Sequence, residues 1–172
     1  MEAWAEFTPY LASVVMTGPF EQRGEEFADP VRDPPPPQPL LYLPMVVGCN
    51  MIRALLDSGA SDSFVSWDVV RVLGLRQYPL SQRLMVRVAN GEALAVTNFV
   101  QLSARLGPMP MRLSLRVIKT TIPIVLGYPF LARTQPTIDW KQRVLRIERK
   151  RKVFEIKALA IADSYRMTCE SG

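Results

Sequence analysis

The chain has 172 residues, 48% hydrophobic and 22% charged, which suits one packed domain with extensions and leaves too little length for two full ones. It contains no histidine, which excludes Ser-His-Asp and Cys-His nucleophilic sites, His-ligated zinc and any histidine general base. The two cysteines, Cys49 and Cys169, form neither a disulfide framework nor a CxxC metal clamp, so a reducing, intracellular and cytoplasmic setting is expected. The net charge of +5 is uneven: residues 1–39 carry two basic and seven acidic groups, whereas residues 141–152 carry seven basic groups and only Glu148.

Nine of the 15 prolines fall within the first 44 residues, densest in Pro34-Pro35-Pro36-Pro37-Gln38-Pro39. Such a run favours polyproline II, which has no internal hydrogen bonds and cannot join a sheet. Residues 1–39 are therefore read as an acidic, proline-rich arm, with a domain boundary near Leu40. Residues 10–16 are apolar, but Glu2 and Glu6 precede them without a Lys or Arg, the wrong sign for a secretory leader. The apolar stretch 40–52 is broken by Pro44, Gly48 and Asn50, so no membrane association is expected.

From Leu40 onward the signals are short and β-like. Residues 40–47 and 51–56 are apolar runs on either side of Gly48-Cys49-Asn50, a hairpin connection. Ser66 caps a helix over residues 67–73, and Gly74 ends it. Residues 84–89 and 92–97 flank Asn90-Gly91, a dipeptide that tolerates positive φ and so marks a hairpin turn. Residues 100–106 and 111–117 each alternate apolar with polar across the Gly107-Pro108 turn. A second short helix follows Tyr128, with Pro129 in its first turn. Many short strands with regular turns indicate an all-β, closed or sandwiched domain with one or two short helices.

The chemistry must then run on carboxylates, hydroxyls, lysines or backbone. In Leu55-Leu56-Asp57-Ser58-Gly59-Ala60 an apolar strand runs straight into an acid and a tight turn. Low dielectric around such a carboxylate raises the cost of ionising it. Asp, Ser and Gly are also the commonest turn formers, so these residues alone fit an ordinary strand end equally well. A second element follows: Ile124-Val125-Leu126-Gly127, then Tyr128-Pro129-Phe130 and Ile138-Asp139-Trp140.

Together the two elements resemble the retropepsins, and most closely the proteases of gypsy-type LTR retrotransposons and their domesticated relatives, over residues 40–147. The resemblance implies a closed acid-protease barrel carrying half a site per chain. It also implies an aspartic endopeptidase that acts on polypeptide substrates as a homodimer, without metal or cofactor. Asp57 is then the catalytic acid, within an active-site loop that includes Ser58, Gly59 and Ala60. Ser58 would knit the two loops across the dimer axis, and the Gly59 backbone would bind substrate. The Asn90-Gly91 hairpin falls where the family keeps its flap. Ser61 stands where retroviral enzymes place a substrate-gripping Asp, with an acid arriving only at Asp62; Ser61, Asp62, Asn90 and Gly91 are the expected substrate contacts. Tyr128 stands where retroviral enzymes have a dimer-bracing Arg, which the gypsy-type enzymes also lack.

Asp139 lacks a following Gly and reads as a strand-end acid. Residues 148–172 are read as a basic, then mixed, extension; the run 141–152 is taken as solvated, with Val144, Leu145 and Ile147 pointing partly inward, and residues 153–172 show no clear β pattern. Nucleic acid is not expected as a partner, because the strands carry few aromatics for stacking. The alternative function is an interaction module that keeps the retropepsin fold without activity.

Overall fold

The computed structural model describes residues 40–88 and 91–160. Residues 1–39, Ala89, Asn90 and residues 161–172 lie outside the described residues. The first hairpin joins β1 (Tyr42–Val47) to β2 (Asn50–Leu56) through a two-residue turn in which Gly48 takes φ 63°, as a hairpin with glycine first requires. A short β3 (Phe64–Ser66) runs into α1 (Trp67–Val72), where the Ser66 Oγ accepts from the Val69 N–H at 3.2 Å. Three longer strands follow: β4 (Gln77–Arg87), β5 (Ala93–Leu106) and β6 (Met109–Ile118). Then come β7 (Ile124–Leu126), α2 (Tyr128–Thr134), β8 (Thr137–Asp139), β9 (Val144–Arg149) and β10 (Lys152–Lys157). Neither helix is long and apolar enough to cross a membrane.

The main sheet has the order β1-β2-β7-β3-β6-β5-β4, and it closes because β1 also pairs with the end of β5, Met45 opposite Leu106 and Val46 opposite Arg105. Six strands thus form a closed all-β barrel, and β4 lies outside it as the free arm of the β4–β5 hairpin. Alternation drives this closure. The pattern of β6 buries Met109, Met111, Leu113, Leu115 and Val117 and leaves Arg112 and Ser114 in solvent. The core gathers Leu43, Met45, Val100, Leu102, Leu106, Leu126 and Phe130 with Leu145 and Ile147 from β9. A smaller cluster of Phe64, Val96, Ile118 and Val125 lies beneath the β4–β5 hairpin.

Two features differ from the sequence reading. The chain does not leave the domain after Ile147: β10 pairs with β9 along its whole length, and Ile156 is fully buried. Ile156 meets Gly107, where a Cβ would lie 3.3 Å from its side chain, so β10 covers one end of the barrel. The second feature is β4, which begins seven residues earlier than residue 84 and is interrupted by a register shift between Pro79 and Leu84.

Candidate active site

The loop of residues 57–63 connects β2 to β3, and both strands flank β7, one parallel and one antiparallel. The loop must therefore cross the end of β7, and four hydrogen bonds tie it to the β7–α2 junction and to β6. The Asp57 N–H donates to the Leu126 carbonyl at 3.0 Å, and the Tyr128 N–H donates to the Ala60 carbonyl at 2.8 Å. The Gly127 N–H donates to the Ser63 Oγ at 3.0 Å, and the Arg116 N–H donates to the Ser63 carbonyl at 3.0 Å. Gly127 has no alternative, since its Cβ would sit 2.1 Å from the Asp62 carbonyl oxygen and 2.8 Å from that of Ala60. This is the physical reason that a Leu-Gly step accompanies the Asp-Ser-Gly turn.

Within the loop, the Gly59 N–H donates to the Asp57 Oδ1 at 2.8 Å. A Cβ on Gly59 would come within 3.2 Å of the same oxygen, so glycine leaves the carboxylate room beside the turn. Asp57 is half-buried, while Ser58 and Gly59 are exposed. The carboxylate opens into a cleft of about 430 Å3 whose walls include Leu55, Val86, Val88, Ile118, Ile122 and Val125. One side of the cleft is the loop of residues 57–63, and the other is the β4–β5 hairpin. The Val88 N–H donates to the Glu92 carbonyl at 2.9 Å at the base of its turn, and Gly91 adopts φ 86°. The cleft is thus an apolar slot with an acid at one edge. That chemistry suits an extended peptide with apolar side chains.

Of the expected site residues, Asp57, Gly59, Ala60, Ser61 and Gly91 line this one cleft. Ser58 lies between them on the exposed crest of the loop. Asp62 does not join them. Its Oδ1 accepts from the Ser63 N–H at 2.8 Å and its Oδ2 is ion-paired with the Arg116 Nε, so both oxygens are engaged behind the loop. An acid in that position holds the loop to β6. Ser63 and Arg116 were not foreseen as supports; Arg116 sits on the polar face of a plainly alternating strand, 54 residues from its partner, and no local signal marks the pairing. Tyr128 is 61% exposed at the start of α2, and Asp139 caps its own turn by accepting from the Gln142 N–H. No group of metal-ligating side chains occurs among the described residues.

Residues 53–153 match the family model described as "PEG10/RTL1 protease domain". Among 116 solved chains that match is the crystal structure of the retroviral protease-like domain of Ddi1 from Leishmania major, with TM-score 0.58 and 21% identity over 73% of this chain and 98% of that one. At that identity the likeness concerns the fold. No curated protein sequence gives a match.

Proposed function

The chain belongs to the PEG10/RTL1 protease-domain family, and from that premise we propose that it is an aspartic endopeptidase whose site is completed by a second copy of the chain. The supporting observation is the single half-buried Asp57 at the edge of an apolar cleft, on a loop pinned by backbone bonds and roofed by a glycine-bearing hairpin. One Asp-Ser-Gly turn per chain provides half of an acid pair. Two such loops meeting at a two-fold axis place the Asp57 carboxyls side by side, where like charge prevents both from ionising.

In that arrangement the ionised Asp57 takes a proton from a bound water, and the water oxygen forms a bond to the scissile carbonyl carbon. The protonated Asp57 of the partner subunit gives its proton to the carbonyl oxygen, yielding a neutral gem-diol. Collapse breaks the C–N bond as the now protonated Asp57 gives its proton to the amine nitrogen and the partner subunit's Asp57 takes one from a gem-diol hydroxyl, which leaves a carboxylic acid, an amine and one proton on the pair. The apolar cleft walls favour bulky aliphatic or aromatic substrate side chains. The β4–β5 hairpin closes over the peptide and excludes water.

The test is hydrolysis of a peptide with apolar residues flanking the scissile bond, assayed with and without a pepstatin-type inhibitor over a dilution series. Inhibitor-sensitive cleavage whose rate per chain falls as sedimentation shows dimer giving way to monomer is the expected result. Cleavage per chain that stays constant in the monomer range removes the shared site, and no inhibitor-sensitive cleavage at any concentration leaves the inactive interaction module.

A further inference from the structure

Outside the cleft the barrel surface carries a long basic trough. A groove of about 810 Å3 runs between the β5–β6 ribbon and the β9–β10 hairpin. It continues into a second of about 610 Å3 through Ser103, Arg112 and Arg133, which line both. Neither groove shares a lining residue with the Asp57 cleft. Four arginines from four elements converge on the trough: Arg105 of β5, Arg112 of β6, Arg133 of α2 and Arg149 of β9. All four are exposed.

Their partners are the informative part. Arg105, Arg112 and Arg133 form no ion pair among the described residues. Arg149 donates to the Pro110 carbonyl at 2.7 Å, which fixes its guanidinium against the β5–β6 turn. The carboxylates among the lining residues are Glu148 and Asp62, and Asp62 is already paired with Arg116. Across the ladder Arg112 faces Ser103, and Gln101 faces Ser114, so small hydrogen-bond donors alternate with the cations where carboxylates would cancel them. Lys150 and Arg151, both at positive φ, project from the adjoining hairpin tip. Converging guanidinium groups repel one another, and an anion spanning them relieves that repulsion. Planar guanidinium forks interspersed with hydroxyl and amide donors suit the oxygens of a phosphodiester chain.

We propose that this trough binds the sugar–phosphate backbone of a nucleic acid, independently of base sequence. The trough offers no exposed aromatic platform for stacking, so bases contribute little and the affinity is electrostatic. The low aromatic content that argued against nucleic acid thus bears on the mode of binding. Sequence alone could not reveal the site, because its arginines lie up to 44 positions apart and only the barrel brings them together.

The test is fluorescence anisotropy of the full chain with a labelled 20-nucleotide RNA and a labelled 20-base-pair DNA duplex, two arms that tell which polymer is preferred. For the duplex, neutralising four phosphates gives a slope of log K against log salt of about −3.6, and each lost contact removes about 0.9. R112Q/R133Q is expected to weaken binding at least tenfold in 50 mM salt and to reduce the slope magnitude by about 1.8. The charge-matched R71Q/K119Q, whose side chains do not line the trough, is expected to stay within twofold. Thermal melting checks that both variants remain folded. Absence of binding at 50 mM salt overturns the proposal, as does an equal loss in both variants. Displacement by polyglutamate at the same charge concentration, as effective as by unlabelled polynucleotide, also overturns it and assigns the trough to acidic polypeptide.

Discussion

The position a Gly127 Cβ would occupy lies 2.1 Å from the Asp62 carbonyl oxygen, so the Asp57 loop and the β7–α2 junction touch backbone to backbone. Neither side can yield, because hydrogen bonds to Ala60 and Ser63 clamp the same junction. G127A is expected to cost more than about 3 kcal/mol, at or beyond the upper end for overpacking. At Gly48, where nothing lies within 4 Å and only φ 63° is demanded, alanine is expected to cost about 1 kcal/mol. Urea denaturation of the two variants checks the contrast; equal midpoints would show that the junction relaxes.

D57N separates chemistry from structure. The asparagine Oδ1 still accepts the Gly59 N–H, which the carboxylate accepts at 2.8 Å, so the turn survives. Peptidase activity is expected to vanish with the melting temperature within a few degrees of the parent. Residual inhibitor-sensitive cleavage in a protease-free preparation would mean that another residue supplies the acid.

The Asp62–Arg116 pair is a support, so its loss should act on stability first. Each side chain is 28% exposed, which leaves the partner poorly solvated when one is removed. D62A is expected to destabilise by about 1–3 kcal/mol, because it also removes the acceptor of the Ser63 N–H. With the loop displaced, kcat is expected to fall more than KM rises. An increase in KM alone would place Asp62 against substrate after all.

Sequence carried the fold where local chemistry is strong. Gly48, the Ser66 cap and the alternation of residues 111–117 each name their element without help from tertiary structure. The Asp57 loop was legible for the same reason, being a contiguous turn. What stayed hidden depends on distance or on weak turns. The Asp62–Arg116 pair joins residues 54 apart, and the first half of β4 is largely solvated and shifts register after Pro79. Trp140, just past the end of β8, is 70% exposed, and the apolar load falls on Val144, Leu145 and Ile147.

The β9–β10 turn was hidden because it lacks the usual residues. Lys150 and Arg151 take φ 52° and 61°, the geometry of a two-residue turn that normally selects Asn-Gly. Four successive cations over residues 149–152 read as a solvated run instead. K150N/R151G is expected to stabilise the chain by about 1 kcal/mol or more, since it relieves two strained side-chain positions. No rise in the thermal midpoint would mean that the cationic pair is favoured by interactions the turn geometry does not show.

The hairpin also moves the C-terminal limit of the domain. Ending the chain at Lys152 removes Ile156, which is fully buried, and Phe154, which packs against the core. It also removes the Leu159 N–H that donates to the Tyr42 carbonyl at 2.7 Å and the Ala158 N–H that donates to the Arg143 carbonyl at 2.9 Å. Burial of a large aliphatic side chain contributes about 1.5–3 kcal/mol, and an Ile-to-Ala cavity costs about 2–5 kcal/mol. Against a typical domain stability of about 5–15 kcal/mol, losing the whole strand is expected to abolish cooperative unfolding. A chain of residues 40–160 is expected to melt cooperatively, and one of residues 40–152 is not. If the shorter chain melts like the longer one, Ile156 and the β9–β10 pairing contribute little, and the barrel is closed by β1 and β5 alone.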